Sequence, residues 1–251
     1  MYMNITLILL VIAAVFLGAL IRATFGFGEA VVSMPLLALL PIDLHTSISL
    51  IGLAGLTVAS FTVISGWRYV DRPALTRLVI GALIGIPIGI FLVVRVPASI
   101  ITIGLGIFLT VYGAYSFVKL MIANGNIKPR FKAKFWSLPV GFISGVLGSA
   151  YNTHGVPVVV YGTLRRWEPR RFRGTLQAHF LISGVFIVIG QALGGLWTED
   201  LFVLFGFSLP LIIIATLLGT FLHRRIPNEK FERYVFLLIL ILGVLLLVNP
   251  A

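Results

Sequence analysis

The sequence predicts an all-α polytopic membrane protein made of two inverted-topology repeats, each a broken short-helix hairpin followed by three transmembrane helices. Three observations carry this prediction. Of 251 residues, 59% are hydrophobic and 11% charged, against roughly a quarter charged in an average soluble domain. Apolar runs long enough to cross a roughly 30 Å hydrocarbon core as helix recur along the chain. A motif also repeats 130 residues on, Gly89-x-Phe91-Leu92-x-x-Arg95-Val96-Pro97 returning as Gly219-x-Phe221-Leu222-x-x-Arg225-Ile226-Pro227.

Met1-Tyr2-Met3-Asn4 has no basic residue, and no small-residue cleavage site follows the first apolar run, so that run is expected to be retained. The first stretch, 5–41, is interrupted by Gly26-Phe27-Gly28-Glu29. Three uninterrupted spans follow at about 46–66, 74–94 and 98–118. The second interrupted stretch, 135–163, is broken at Gly148-Ser149-Ala150-Tyr151-Asn152-Thr153-His154-Gly155, and leads to spans at 175–197, 201–222 and 234–248. Gly26 with Met34-Pro35 aligns with Gly148 and Val156-Pro157 at a separation of 122. The expected organisation is a repeat over 1–120, a basic linker over 121–134 and a second repeat over 135–251.

Charge orients these spans. The net charge is +11, but the basic residues gather between apolar spans, which reads as topology rather than as a nucleic-acid surface. Four clusters hold 17 of the 19 basic residues: Arg68, Arg72 and Arg77; Lys119, Lys128, Arg130, Lys132 and Lys134; Arg165, Arg166, Arg170, Arg171 and Arg173; Arg224, Arg225, Lys230 and Arg233. The positive-inside bias puts all four in the cytoplasm, with the protein in the inner membrane. The second and third clusters flank 135–163, so that segment leaves the membrane on the side it entered. Its 29 residues reach about 43 Å as helix, too short for two full crossings. A re-entrant pair of short helices resolves this, and the first half mirrors it from the opposite face. The length of 5–41 also allows two complete crossings.

Unwound backbone at membrane depth survives only where protein or a wet cavity satisfies it, so the two breaks mark a cavity. A half-helix starting after a break aims free N–H groups and a positive dipole end at that cavity, which suits an oxyanion. The expected substrate-binding residues are Gly26, Gly28 and Ser33 at the first break, and Gly148, Ser149, Tyr151, Asn152, Thr153 and His154 at the second, with Gln177 on the following span. The alternative for these side chains is that they cap the half-helices. Glu29 is the only carboxylate deep in an apolar stretch. It is read either as a proton carrier or as the partner of Arg22, seven residues earlier, and Arg22 in turn as a group that attracts an anion. His154 is a second proton-coupling candidate, or a neutral hydrogen-bonding residue. Gln177, His179 and Gln191 share one span and line the path or bind neighbouring helices. Trp67, Trp136 and Trp197 read as interfacial anchors.

Phe25-Gly26-Phe27-Gly28 leading to Pro35, Gly141-Phe142-Ile143-Ser144-Gly145 running into Gly148 and Pro157, and Arg173-Gly174-Thr175 together resemble the TauE/SafE family of sulfite exporters, over nearly the whole chain. The resemblance implies an integral transporter, usually an exporter, of sulfur-containing anions such as sulfite, sulfoacetate or other organosulfonates. The expected mechanism is alternating access around the two discontinuous helical hairpins. An anion channel or uniporter, or a transporter of an unrelated small carboxylate, is the alternative. No P-loop, zinc-protease or serine-nucleophile motif is present and Cys is absent, so no enzyme, cofactor or metal is expected. The expected partners are a small anionic substrate and the lipid bilayer, with a homodimer as a further expectation and no nucleic acid.

Overall fold

A computed structural model describes residues 4–64, 66–122, 134–223 and 228–248, and the regular structure among them is helical. In chain order the helices are α1 (Ile5–Phe25), α2 (Glu29–Ala38), α3 (Leu44–Thr62), α4 (Arg72–Arg95), α5 (Ala98–Ile122), α6 (Ser137–Tyr151), α7 (Gly155–Leu164), α8 (Pro169–Leu193), α9 (Glu199–His223) and α10 (Asn228–Val248). Six of them, α1, α3, α4, α5, α8 and α9, are long and apolar enough to span a bilayer. Large apolar side chains such as Leu9, Phe91, Val111, Phe207 and Leu217 point outward from these helices, where lipid replaces water as the solvent.

Among the described residues, four of the ten helix starts are marked in the sequence by a capping side chain or a proline. Asn4 accepts from the Thr6 N–H, Asp43 from the Thr46 N–H and Asp71 from the Ala74 N–H, each satisfying an amide the first turn leaves free. α8 starts at Pro169, earlier than the span at 175 that hydropathy suggests. Proline at the first helical position needs no partner for an N–H, and the helix therefore takes in Arg170, Arg171 and Arg173. Residues 123–133, with most of the second basic cluster, and Arg224, Arg225 and Pro227 of the repeated motif lie outside the described residues.

Both interruptions are present, with differences from expectation. α1 has 21 residues and is by itself a full-length span, so the first broken pair joins one long helix to a 10-residue one. The second pair is short on both arms, 15 and 10 residues, about 22 and 15 Å. α1 ends on Gly26 at φ 86°, and Gly28 at φ 100° precedes α2; both lie in the left-handed region that glycine enters without a Cβ penalty. In the second pair the left-handed residue is Asn152, φ 56°, while Gly148 lies inside α6. The breaks therefore correspond as Gly26 to Asn152. Asparagine tolerates this conformation and, unlike glycine, brings a side chain.

Packing sets the helix directions. Leu78, Ala82 and Ile86 of α4 meet Gly141, Gly145 and Ser149 of α6 in ascending order, so the two run parallel at backbone contact. Gly219 near the end of α9 rests on Leu20, Ala23 and Thr24 near the end of α1, a second parallel pair. α3 and α8 run antiparallel, Ser49 reaching Leu196 and Thr62 reaching Gln177. So do α5 and α10, with Gly113 on Leu240 and Gly106 on Leu247. α7 ends where Gly162 packs on Trp167 and Phe172, beside the start of α8. Both ends of the α6–α7 pair therefore lie at the end of the bundle where α4 and α8 begin. Asn4, Leu40, Asp43 and Asp200 line one crevice, which brings both ends of the α1–α2 pair to the opposite end.

Candidate functional site

The two breaks converge. A void of about 20 Å³ is lined from the first pair by Arg22, Gly28 and Glu29, from the second by Asn152, Thr153 and His154, and from α8 by Phe180. That is room for about one water molecule. A second small void beside it adds Gly52 and Gly55 of α3 to the same walls.

Arg22 and Glu29 form an ion pair, Nη1 to Oε2 at 2.6 Å, each residue 4% exposed. The pair spans the break, one member near the end of α1 and the other starting α2. Gly55 makes room for it, since a Cβ there would lie 2.8 Å from Arg22 Nη1 and 3.0 Å from Glu29 Oε2. The Arg22 guanidinium sits over the Phe180 ring, 4.3 Å from its centroid, a cation–π contact strengthened by burial. The His154 ring meets the same Phe180 edge-on at 4.8 Å.

Satisfaction of these groups is incomplete. Arg22 Nε and Nη2, Glu29 Oε1 and both ring nitrogens of His154 are buried without a hydrogen-bond partner. A buried polar atom left unpaired costs about 1–3 kcal/mol, more when charged, so five such atoms around one void call for a ligand, water or both. The free Nε and Nη2 form one edge of the guanidinium, the planar two-donor geometry that pairs with two oxygens of a carboxylate, sulfonate or phosphate. His179, by contrast, is fully partnered. Ser144 Oγ donates to the His154 carbonyl at 2.6 Å, so His179 Nε2 donates to Ser144 at 2.8 Å and Nδ1 accepts from Ser183 at 3.3 Å.

Both sides of this centre are closed by side-chain amides of α8. On one side Gln177 Nε2 donates to the Gly26 carbonyl at 2.8 Å while its Oε1 accepts from Thr62 at 2.9 Å. Beyond it opens a cavity of about 490 Å³ whose walls include Arg68, Tyr69, Arg170 and Arg173. On the other side Gln191 Nε2 donates to Asn152 Oδ1 at 3.3 Å, and Asn152 Nδ2 donates to the Ile48 carbonyl at 2.6 Å. Past that layer Thr46 and Thr198 hydroxyls meet at 2.8 Å, and the crevice beyond is lined by Asp43 and Asp200.

Of the residues singled out from sequence, Arg22, Gly28, Glu29, Asn152, Thr153 and His154 meet at the void. Gly26 and Gln177 stand on its basic side, bonded to each other. The remaining ones face elsewhere. Ser33 Oγ donates to the Ala14 carbonyl at 2.9 Å and ties α2 to α1. Ser149 Oγ donates to Gly145 and Ile86 carbonyls and holds α6 on α4. Gly148 gives space to the His154 Cβ and to Ile187, and Tyr151 points its hydroxyl toward Gly104 of α5. Phe180, Gly52 and Gly55 also line these voids and are not among the residues singled out from sequence. The small pair Gly52-x-x-Gly55 on one face of α3, and the helical spacing of Gln177, Phe180, Gly184 and Gln191 on α8, are the signals that point to them. Among the described residues no group of three or more His, Asp or Glu could hold a metal ion.

No curated protein and no solved structure matches the chain. The family model described as sulfite exporter TauE/SafE matches residues 10–246, nearly the full length that the glycine-rich motifs and the two breaks span. This multi-pass membrane protein belongs to the TauE/SafE sulfite exporter family, a family of membrane transporters.

Proposed function

We propose that the chain is a secondary transporter of the inner membrane that exports a small sulfur-containing anion, sulfite or an organosulfonate such as sulfoacetate, by alternating access. The observation that carries this reading is the row of unpartnered donors, Arg22 Nε and Nη2 with the His154 ring, at the void where both breaks meet. Desolvated donors fixed in place before the ligand arrives favour an oxyanion strongly, because no other group competes for them. The void holds about one water, which favours a carrier caught between open states over a standing pore.

The reading treats 1–120 and 135–251 as inverted repeats, and the packing supports it. Exchanging α1–α2 with α6–α7, α3 with α8, α4 with α9 and α5 with α10 turns the parallel α4–α6 contact into the parallel α9–α1 contact. The same exchange maps the antiparallel α3–α8 and α5–α10 contacts onto themselves. Such a twofold relation provides two equivalent packings that open to opposite sides. With the basic cavity at Arg68, Arg170 and Arg173 facing the cytoplasm, substrate anions gather where export begins.

The test is binding and flux with purified protein. Sulfite, sulfate, sulfoacetate, taurine and simple carboxylates are offered in turn, and a sulfur oxyanion is expected to bind most tightly. Arg22→Gln and His154→Ala are expected to lower its flux in vesicles by about tenfold or more, as loss of a charge-assisted hydrogen bond predicts, and Asn152→Ala, which frees Gln191 and the Ile48 carbonyl, is expected to lower it as well. Wild-type flux in all three variants, with insertion unchanged, rejects this site.

A further inference from the structure

We infer that Glu29 carries one proton with each monovalent oxyanion, so that anion and proton cross together without net charge; this rests on the site proposed above. Arg22 and Glu29, paired at 2.6 Å, balance each other's charge. An anion docking on the free Nε–Nη2 edge of Arg22 adds a negative charge where neither Arg22 nor Glu29 is more than 4% exposed. Buried charge without compensation is strongly disfavoured. It is balanced when the carboxylate takes up a proton.

The geometry identifies the oxygen. Glu29 Oε2 accepts from Arg22 Nη1, while Oε1 has no partner and belongs to a residue lining both small voids. As a carboxylate, Oε1 repels an approaching anionic oxygen. As an acid, its O–H becomes a donor to that oxygen, and Oε2, now the carbonyl oxygen, keeps its bond to Arg22. One proton thus converts the group from an obstacle into part of the seat. Proton uptake alone leaves Arg22 as an unbalanced cation, and anion entry alone leaves the centre negative, so each is favoured with the other.

The other groups facing Glu29 leave this assignment in place. From α1 it faces Arg22; from the second break, His154 and the uncharged Asn152; from α3, the uncharged Ile51, Gly52, Gly55 and Leu56; and from α8, Phe180, Gly184 and Ile187, none of them titratable. His179 lies behind His154, ring centroids 6.2 Å apart, and spends both nitrogens on Ser144 and Ser183. During a cycle the proton comes from water on the open side, rides on Oε1, and returns to water on the other side as the anion leaves and the ion pair re-forms. Voltage then drops out, and direction follows the anion gradient together with the pH gradient. The ligand class selected is a monovalent oxyanion, which among the candidates of the proposed function is hydrogensulfite or a simple sulfonate rather than the divalent sulfoacetate.

The experiment uses the full chain in liposomes containing a pH-sensitive dye, with methanesulfonate as the probe because it has no titratable proton, and sulfite in parallel. Wild type is expected to acidify the lumen by one proton per methanesulfonate taken up, at a rate unchanged when the potential is clamped at different values. Glu29→Gln is expected to bind methanesulfonate without proton movement and to make any flux voltage-dependent; Arg22→Gln is expected to bind neither probe. Anion uptake by wild type without acidification, a measurement that needs no variant, overturns the coupling and leaves the site intact, as does proton movement retained in Glu29→Gln. Unchanged flux in Arg22→Gln, or no wild-type flux of either probe, overturns the site reading and the coupling with it.

Discussion

At the scale of single residues the centre depends on what is missing as much as on what is there. Gly55 carries no side chain because Arg22 Nη1 and Glu29 Oε2 occupy the space a Cβ needs. Gly55→Ala is therefore expected to displace the ion pair and to lower anion flux about tenfold or more, since a shift near 1 Å at a binding group has that order of effect. A matched change at Gly206, where a Cβ meets nothing within 4 Å, is expected to leave flux unchanged; equal flux in both variants removes Gly55 from the site. Why Arg22 and Glu29 were legible in the sequence and Gly55 was not follows from the same chemistry. An acid and a base in an apolar stretch stand out against their surroundings. A glycine among the many of a membrane helix does not, and its function is set by which neighbour approaches it. Phe180 was hidden for a similar reason: a phenylalanine in a span reads as lipid-facing until the helix rotation is known.

At the scale of helices, close approach replaces hydrophobic burial as the source of cohesion, because lipid tails are as apolar as the side chains. Gly81, Gly85 and Gly89 lie one turn apart on α4 and face the backbone of Leu138, Phe142 and Val146, while Gly141 and Gly145 of α6 face Leu78 and Ala82. Gly85→Leu or Gly145→Leu is expected to force α4 and α6 apart, costing about 1–3 kcal/mol as overpacking does. A lower melting temperature of the purified protein in detergent reads this out; an unchanged one argues that the two helices are not in backbone contact. The breaks at residues 26–28 and 152–154 were visible in sequence because glycine and asparagine interrupt an apolar run. The length of α1 was not, since hydropathy cannot say whether Gly26 lies in mid-membrane or near one face. Nor was the start of α8, because Arg170, Arg171 and Arg173 look like a loop until Pro169 is recognised as the first residue of a helix. The pairing of α4 with α6, and of α1 with α9, joins residues of opposite halves, which no local pattern in either half encodes.

For the whole molecule, α8 carries the two polar locks on opposite sides of the void. Gln177 holds Gly26 and Thr62 toward the basic cavity, and Gln191 holds Asn152 toward the acidic crevice. Alternating access requires one lock to open while the other stays closed, so weakening one is expected to shift the resting population toward one side. Gln177→Ala removes two buried hydrogen bonds and Gln191→Ala removes one, at about 0.5–1.5 kcal/mol each. A shift of that size changes the ratio of open to closed forms by about twofold to a hundredfold. The chain has no cysteine, and Thr153, 2% exposed, lines the void between the locks, so Thr153→Cys supplies a single reporter thiol. In vesicles of defined orientation, a membrane-impermeant thiol reagent is expected to label it slowly from either side. Adding Gln177→Ala is expected to raise labelling only from the side of Arg68 and Arg173, and Gln191→Ala only from the side of Asp43 and Asp200. Gates coupled through one rigid helix give this one-sided pattern, whereas a pore with two independent constrictions leaves the closed lock as the limit from its own side and gives no fall there. The opposite-side rate therefore decides between them: in a carrier Gln177→Ala slows labelling from the acidic side below the parent rate, and a parent-like rate there means that the two locks do not alternate.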